Sequence, residues 1–249
     1  MQNKLDKDLW LNWDIKNTNM CPSCNKGNLQ YKNKKIQSET SDSKHFARFS
    51  SGRCEHVVSF HLICTKCEEV VAVTGISLED DEGKGFTPNH FYPALNIINI
   101  PIKCPKDIVK ELKKSFSLFW VDENSCANSI RKSVEVLLDN LGIRRQIIRD
   151  NGKKPIRLEL HKRIEELKSN EQYIPISQYL SAIKWGGNIG SHSSNLSKEK
   201  VLSLYEIINK VLIDLYGEEQ KEKNRINMEV SAINTSKGNN LSRKFPLNE

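Results

Sequence analysis

The pairs Cys21-Pro22-Ser23-Cys24 and Cys64-Thr65-Lys66-Cys67 decide the fold of the N-terminal part of this chain. A gap of two residues lets a tight turn aim both sulfurs of a pair at one ion, and two such turns supply the ligands of a tetrahedral zinc site. A four-cysteine zinc site has no position left for substrate, so we expect a structural role. The alternative is that the four thiols pack separately in the core. The sequence predicts a zinc ribbon with zinc bound by Cys21, Cys24, Cys64 and Cys67.

The segments around the cysteine pairs complete this prediction. β-Branched residues before and after the second pair, over 56–63 and 69–75, predict a hairpin whose turn is the pair itself. The polar interval 33–53 is expected to be an insertion at the edge of the ribbon, and the acidic stretch Leu78 to Lys84 a loop. Trp10 and Trp13 are expected to pack against the zinc module.

Composition limits the classes of protein. A chain of 249 residues with 37% hydrophobic residues can build two modest domains and a tail. Seven cysteines without an N-terminal apolar segment, and no stretch long enough to span a membrane, predict a cytoplasmic protein without a membrane partner. A formal charge of +7 favours RNA or DNA as partners through their phosphates, although many lysine-rich chains only carry a solvated positive face.

The pattern of hydrophobic residues changes after Pro105 from a period of two to a period of 3.6. Helices are predicted over 105–120 and 125–141 with Gly142 as a cap, then from Pro155, from Pro175 and over 201–215. The predicted fold class is α+β, with a β-rich zinc ribbon followed by an antiparallel helical bundle. The predicted domains are a ribbon over 1–89, a bundle over 90–217 and a polar, disordered tail over 218–249.

A glycine-rich turn is predicted for the segment Lys184-Trp185-Gly186-Gly187-Asn188-Ile189-Gly190-Ser191-His192. This segment lies between the helix predicted from Pro175 and the helix predicted over 201–215. With the stretch from Ser125 to Leu138, the helix from Leu160 to Leu167 and the closing Leu215-Tyr216, it resembles domain of unknown function 4145. That helical family is grouped with the HEPN superfamily. The resemblance covers roughly residues 90 to 217, and a zinc ribbon ahead of the helices is also associated with the family. It implies a homodimeric bundle, in a superfamily of RNA-cleaving toxins, defence proteins and inactive binding modules.

Catalytic residues follow from the same resemblance. Active HEPN ribonucleases resemble one another in having an arginine and a histidine close together in the sequence. The arginine stabilises charge on phosphorus and the histidine moves a proton, so no metal is needed. His192 matches the histidine and Asn188 the polar residue beside the arginine, but Gly187 stands where the arginine is expected. Lys184 or Arg131 is then the candidate cation. The alternative is that Asn188 and His192 lock the turn by hydrogen bonds to the backbone.

A second candidate site is a run of cations between two predicted helices. It is expected to face phosphates, and its alternative is a solvated loop. The five residues chosen for nucleic-acid binding are Arg144, Arg145, Arg149, Lys153 and Lys154.

The function predicted from the sequence is a non-catalytic recognition or regulatory module, associated with nucleic acid and with prokaryotic anti-phage defence. One alternative is a metal-independent endoribonuclease, and another is an adaptor that binds a protein partner. Cys104 and Cys126 lack suitably spaced partners and are expected to pack as small apolar groups.

Overall fold

The computed structural model describes residues 5–14, 19–32, 36–40, 54–80, 83–147, 155–189, 196–218, 226 and 229–230. They form the mixed α+β structure that the sequence predicts, an antiparallel sheet followed by helices. The N-terminal elements are α1 (Lys7–Leu11), β1 (Leu29–Tyr31), β2 (Ile36–Glu39), β3 (Cys54–Cys64), β4 (Val70–Asp80) and β5 (Gly83–Tyr92). The later elements are α2 (Lys106–Leu118), α3 (Glu123–Asn140), β6 (Gln146–Ile147), β7 (Ile156–Arg157), α4 (Leu160–Leu167), a 3-10 turn (Glu171–Tyr173), α5 (Ile174–Ile189) and α6 (Lys198–Tyr216).

Strand β3 organises the sheet because it pairs with three other strands. β4 runs along one side of it, and β1 and β2 share the other side at opposite ends. Alternate residues of β3 and β4 point to one buried face, as the period of two requires. The hairpin with the second cysteine pair as its turn is therefore confirmed. The buried side chains of this face include Val58, Phe60, Leu62, Val71 and Val73.

The predicted loop from Leu78 to Lys84 is wrong. β4 continues to Asp80 and β5 starts at Gly83, so most of the stretch belongs to a long antiparallel ladder. Ladder hydrogen bonds hold these residues in the sheet, although acidic residues and glycine have low intrinsic strand propensity. β5 is the edge strand of the described sheet, and it accommodates Pro88 because proline has no N–H to donate to a further strand. Pro88 pairs with Gly75, next to an irregularity in the register between Thr74 and Gly75.

Two tryptophans of the N-terminal segment join the sheet to the helices. Trp13 packs against Phe91 of the sheet, with ring centroids 5.1 Å apart, as predicted. Trp10 instead packs against Phe119 and Trp120 of the helical part, at 6.4 and 6.1 Å. Phe91 also contacts Trp120, at 4.9 Å. The expectation that both tryptophans pack on the zinc module is therefore correct only for Trp13, since Trp10 extends the shared core towards the helices.

Local signals set most of the helix ends. Asp122 caps α3 by accepting a hydrogen bond from the Ser125 N–H, and the hydrogen bonds from Ser125 lower the pKa of its carboxyl. Gly142 follows this helix with φ of 79°, which confirms the predicted cap. The prediction that Pro155 opens a helix is wrong, because Pro155 precedes β7 and the helix begins at Leu160.

The glycine-rich segment is helical over much of its length. α5 continues through Gly186 and Gly187 to Ile189, so the predicted turn is wrong up to that residue, and His192 lies outside the described residues. Because glycine has no side chain, Gly186 and Gly187 let the neighbouring helices approach closely. A Cβ on Gly187 would lie 2.8 Å from the Cβ of Arg131 in α3, and one on Gly186 2.5 Å from a methyl group of Leu204 in α6. The glycines thus serve helix packing rather than a turn.

Gly187→Ala is expected to destabilise the protein by about 1–2 kcal/mol. A contact of 2.8 Å with Arg131 places the cost of overpacking in the upper half of the usual range of about 1–3 kcal/mol, and the higher helix propensity of alanine returns about 1 kcal/mol. Urea unfolding measures the difference, with Gly85→Ala as the control, because a Cβ on Gly85 meets no atom within 4 Å. Equal or greater stability of Gly187→Ala would show that α3 and α5 are not in close contact here.

No helix among the described residues is both long and apolar enough to cross a membrane. The predicted tail over 218–249 lies outside the description except for residues 218, 226, 229 and 230, so its disorder stays a prediction.

Candidate metal centre and basic cleft

The two cysteine pairs come together into one cluster. One sulfur atom from each of the four cysteines lies within 4.8 Å of the other three. The Sγ atoms of Cys21 and Cys67 are 3.7 Å apart, as are those of Cys24 and Cys64. A tetrahedron with metal–sulfur bonds of about 2.3 Å has edges of about 3.8 Å. The four sulfurs are therefore spaced to bind a single metal ion.

Both pairs fold in the same way. The residue after each second cysteine, Asn25 or Glu68, has a positive φ, of 52° and 61°. The N–H of Cys21 donates to the carbonyl of Gly27, and the N–H of Cys64 donates to that of Glu69. Each pair is therefore a tight turn that returns the chain, with its two sulfurs on the same side.

Backbone N–H groups favour the thiolate form of two cysteines. Those of Gly27 and Lys26 lower the pKa of Cys24 to about 6. The N–H of Cys67 lies 3.5 Å from the sulfur of Cys64 and lowers the pKa of that thiol. These hydrogen bonds favour the metal-binding thiolate form at Cys24 and Cys64. Burial raises the pKa of Cys21, and at Cys67 the N–H of Glu69 is outweighed by desolvation and the neighbouring thiols, which raise the pKa to about 12.

Side chains join the two turns to each other and to the following chain. The Ser23 hydroxyl donates to a Glu69 carboxylate oxygen at 2.7 Å, and the N–H of Asn28 donates to the Thr65 hydroxyl at 3.2 Å. Asn96 donates to the side-chain oxygen of Asn25 at 2.9 Å. The cluster therefore contacts the segment that leads from the sheet to α2.

A second candidate site is a cleft of about 780 Å³, bordered by α3, α4, α5 and the β6–β7 hairpin. We call it the basic cleft, because six cations and three carboxylates are among the described residues that line it. Lys184 and Asn188, one turn apart on α5, both face it. The cations are Arg131, Lys132, Arg145, Arg157, Arg163 and Lys184, and the carboxylates are those of Glu135, Asp139 and Glu159.

Glu135 and Asp139 each interact with two guanidinium groups. Glu135 lies 3.6 Å from Arg131 and 3.5 Å from Arg157. Asp139 accepts hydrogen bonds from Arg145 and from Arg163, both of 2.7 Å. Each carboxylate therefore neutralises only one of its two cations, and the lining keeps an excess of positive charge.

The cations predicted to bind nucleic acid differ in their surroundings. Arg144 forms an ion pair with Glu166 at 3.0 Å, and only Arg145 lines the cleft. Arg149, Lys153 and Lys154 lie outside the described residues. Arg163, which also lines the cleft, is only 3% exposed and is a buried cation rather than a surface cation.

The predicted catalytic residues are partly brought together. Lys184 and Asn188 share the cleft, and Arg131 packs against Gly187, the position at which the resemblance places an arginine. His161 also lines the cleft and was not singled out from the sequence. No local motif marks His161, because the cleft takes its residues from four separate segments. Cys126 is buried, and burial raises its pKa to about 12, but its surroundings are not purely apolar as predicted. Its sulfur donates to the Ser115 carbonyl oxygen at 3.2 Å and lies 3.1 Å from the Tyr205 hydroxyl.

In comparisons with known proteins, two stretches of the chain match family models. No curated protein and no solved structure matches the chain. Residues 11–89 match the family described as Domain of unknown function (DUF8608), and this stretch contains all four clustered cysteines. Residues 113–231 match the family described as Domain of unknown function (DUF4145), which confirms for this stretch the resemblance drawn from the sequence.

Proposed function

We propose that the protein is a non-catalytic recognition module that binds RNA or DNA through phosphates in the basic cleft. The observation that carries the proposal is the lining of the cleft, in which Glu135 is shared by Arg131 and Arg157, and the exposed Arg145 shares Asp139 with the buried Arg163. Phosphate oxygens are suited to guanidinium groups that are only partly neutralised. Among the described residues that line the cleft, no nucleophilic side chain lies beside a base that could activate it.

The metal bound by Cys21, Cys24, Cys64 and Cys67 is proposed to be zinc, with a structural role. Four thiolates at tetrahedral spacing suit Zn²⁺, and they leave no ligand position for substrate. The metal would then hold the two cysteine turns beside the sheet, while the helical part binds the nucleic acid. The same proposal places the end of the zinc ribbon at residue 89 and the end of the helical bundle at residue 217.

The finer family features rest on the resemblance alone. They are a HEPN-like arrangement of the helices, a homodimer and a role in prokaryotic anti-phage defence. The cytoplasmic location is proposed on a different ground, because seven cysteines suit a reducing compartment.

Binding through the cleft predicts a strong dependence on salt. Lys184→Ala and Arg131→Ala are each expected to weaken binding of a labelled oligonucleotide and to reduce the slope of log K against log salt by about 1 for each phosphate that the variant no longer binds. Fluorescence anisotropy at several salt concentrations measures both quantities. Lys210→Ala is the control, because Lys210 is paired with Asp214 outside the cleft.

Absent binding, or a slope that neither cleft variant changes, would contradict this proposal. Neutralising Arg144, Arg145 and Arg149 together tests the basic run separately. Capture of a stoichiometric protein partner that survives nuclease treatment, without nucleic-acid binding, would favour the adaptor instead.

A metal-independent endoribonuclease is the second candidate, and the contact between Gly187 and Arg131 favours it. This contact brings an arginine from α3 to the place where the resemblance expects one in α5. Asn188 and Lys184 line the same cleft, and His161 or His192 would move the proton. Incubation of an RNA pool in EDTA, beside His161→Ala and His192→Ala, tests this function. Cleavage that one of these variants abolishes would establish it, and no cleavage by the wild type would favour recognition.

A further inference from the structure

Trp185 is the most exposed tryptophan of the described chain. Its exposed fraction is 62%, whereas Trp10, Trp13 and Trp120 are 5–6% exposed. Burying a tryptophan is strongly favourable, so an exposed one on a well-formed helix marks a candidate contact surface. The helix itself does not require Trp185 there, since α5 packs through Leu180, Ile183 and Gly187.

The ring of Trp185 lies beside the basic cleft. The Lys184 ammonium is 4.2 Å from the centroid of the ring, and Lys184 also lines the cleft. Among the described residues no carboxylate lies within ion-pair distance of the Lys184 ammonium, although the charge of Glu165 acts on it at longer range. The ammonium therefore lies between an aromatic face and a cavity with excess positive charge, and it can turn from the ring to an anion in the cleft.

We propose that Trp185 is a stacking platform for an unpaired base of a single-stranded nucleic acid whose adjacent phosphate binds in the basic cleft. The proposal rests on the proposed function and specifies its ligand class. A nucleotide presents an anionic group and a flat aromatic group joined by one sugar. Lys184 and Trp185 present a cation and a flat aromatic ring with 4.2 Å between the ammonium and the ring centroid.

Base pairing decides which nucleic acids fit. In a duplex each base is stacked between its neighbours, and its face is not available to a tryptophan. An unpaired base can stack on the ring while its phosphate replaces the ring as the partner of Lys184. A second copy of this chain fits less well, because its own excess of positive charge would meet the same charge.

The test compares three oligonucleotides of equal length: a single strand, the same strand with abasic sites at its centre, and a duplex. Trp185→Ala is expected to weaken binding of the single strand roughly ten- to hundred-fold and to leave the abasic strand and the duplex unchanged. Trp185→Phe, which keeps an aromatic face, is expected to retain most of the affinity. Quenching of tryptophan fluorescence by the single strand should disappear in both variants, because the other tryptophans of the described chain are buried.

Other outcomes overturn the inference. They are unchanged single-strand affinity in Trp185→Ala, an equal loss for all three oligonucleotides, or tighter binding of the duplex by the wild type. Loss of a dimer in Trp185→Ala, with unchanged binding of the single strand, would assign the ring to a contact between copies. Failure of the proposed function has a different signature: Lys184→Ala and Arg131→Ala would then leave the binding of every oligonucleotide unchanged.

Discussion

Cys64→Ala is expected to abolish metal binding and to lower the free energy of unfolding by more than about 4 kcal/mol. Its sulfur lies 3.7 Å from that of Cys24, and it accepts hydrogen bonds from the N–H groups of Lys66 and Cys67. Removing it leaves three of the four sulfurs, so the tetrahedron cannot close and the stability that metal binding supplies is lost. Because Cys64 ends β3 at the turn into β4, the destabilisation should spread into the sheet.

Metal analysis and thermal unfolding, with and without a chelator, measure this effect. The wild type should contain one zinc ion per chain and should lose thermal stability in the chelator. Cys104→Ala is the matched control, because Cys104 is a buried cysteine outside the cluster and its replacement should cost only about 1 kcal/mol. A wild type that purifies without metal, or a Cys64→Ala variant that unfolds like Cys104→Ala, would refute the metal centre.

Arg163→Ala is expected to destabilise the protein by about 3 kcal/mol, the second-largest effect. The buried guanidinium donates to Asp139 at 2.7 Å and to the carbonyl oxygens of Glu135 and Ile143 at 3.2 and 3.0 Å. It thereby fixes α4 to α3 and to the chain that follows α3. Without it, the two carbonyl oxygens lose a charged donor in a partly buried place, while Asp139 keeps only Arg145.

Arg145→Ala is the matched control, because Arg145 shares the same carboxylate from a side chain that is 71% exposed. An exposed ion pair contributes less than about 1 kcal/mol. Urea unfolding of both variants measures the difference, and similar decreases in stability of the two would contradict the structural role given to Arg163.

The acid dependence of stability provides a second check on this ion pair. Partial burial by itself raises the pKa of Asp139, but hydrogen bonds and charge from Arg145 and Arg163 outweigh it, and the net pKa is lowered. The stability from this pair is therefore fully present above the unfolded pKa of about 3.9 and is lost as the pH falls through the folded pKa. Wild-type stability should fall more steeply below about pH 4 than that of Asp139→Asn. Equal slopes would show that Asp139 is not paired in the folded state.

The α+β class and most elements could be predicted because they depend on local patterns. The β-branched residues before Cys64, the apolar period of α3 and the cap at Gly142 are all short-range signals. The predictions for Leu78 to Lys84 and for the glycine segment failed where tertiary contacts overrode local propensity. A long ladder held the first in the sheet, and close packing on Arg131 and Leu204 kept the second helical.

The sequence alone predicted which four cysteines come together as a possible metal site, because a gap of two residues places both sulfurs of each pair on one tight turn. It also determined that a sheet precedes the helices and that the chain carries excess positive charge. Only the tertiary structure decided that Arg163 is buried while Arg131 and Lys184 face one cleft with His161. Those residues come from separate segments, and their positions depend on how closely the helices approach, which the packing of many side chains sets together.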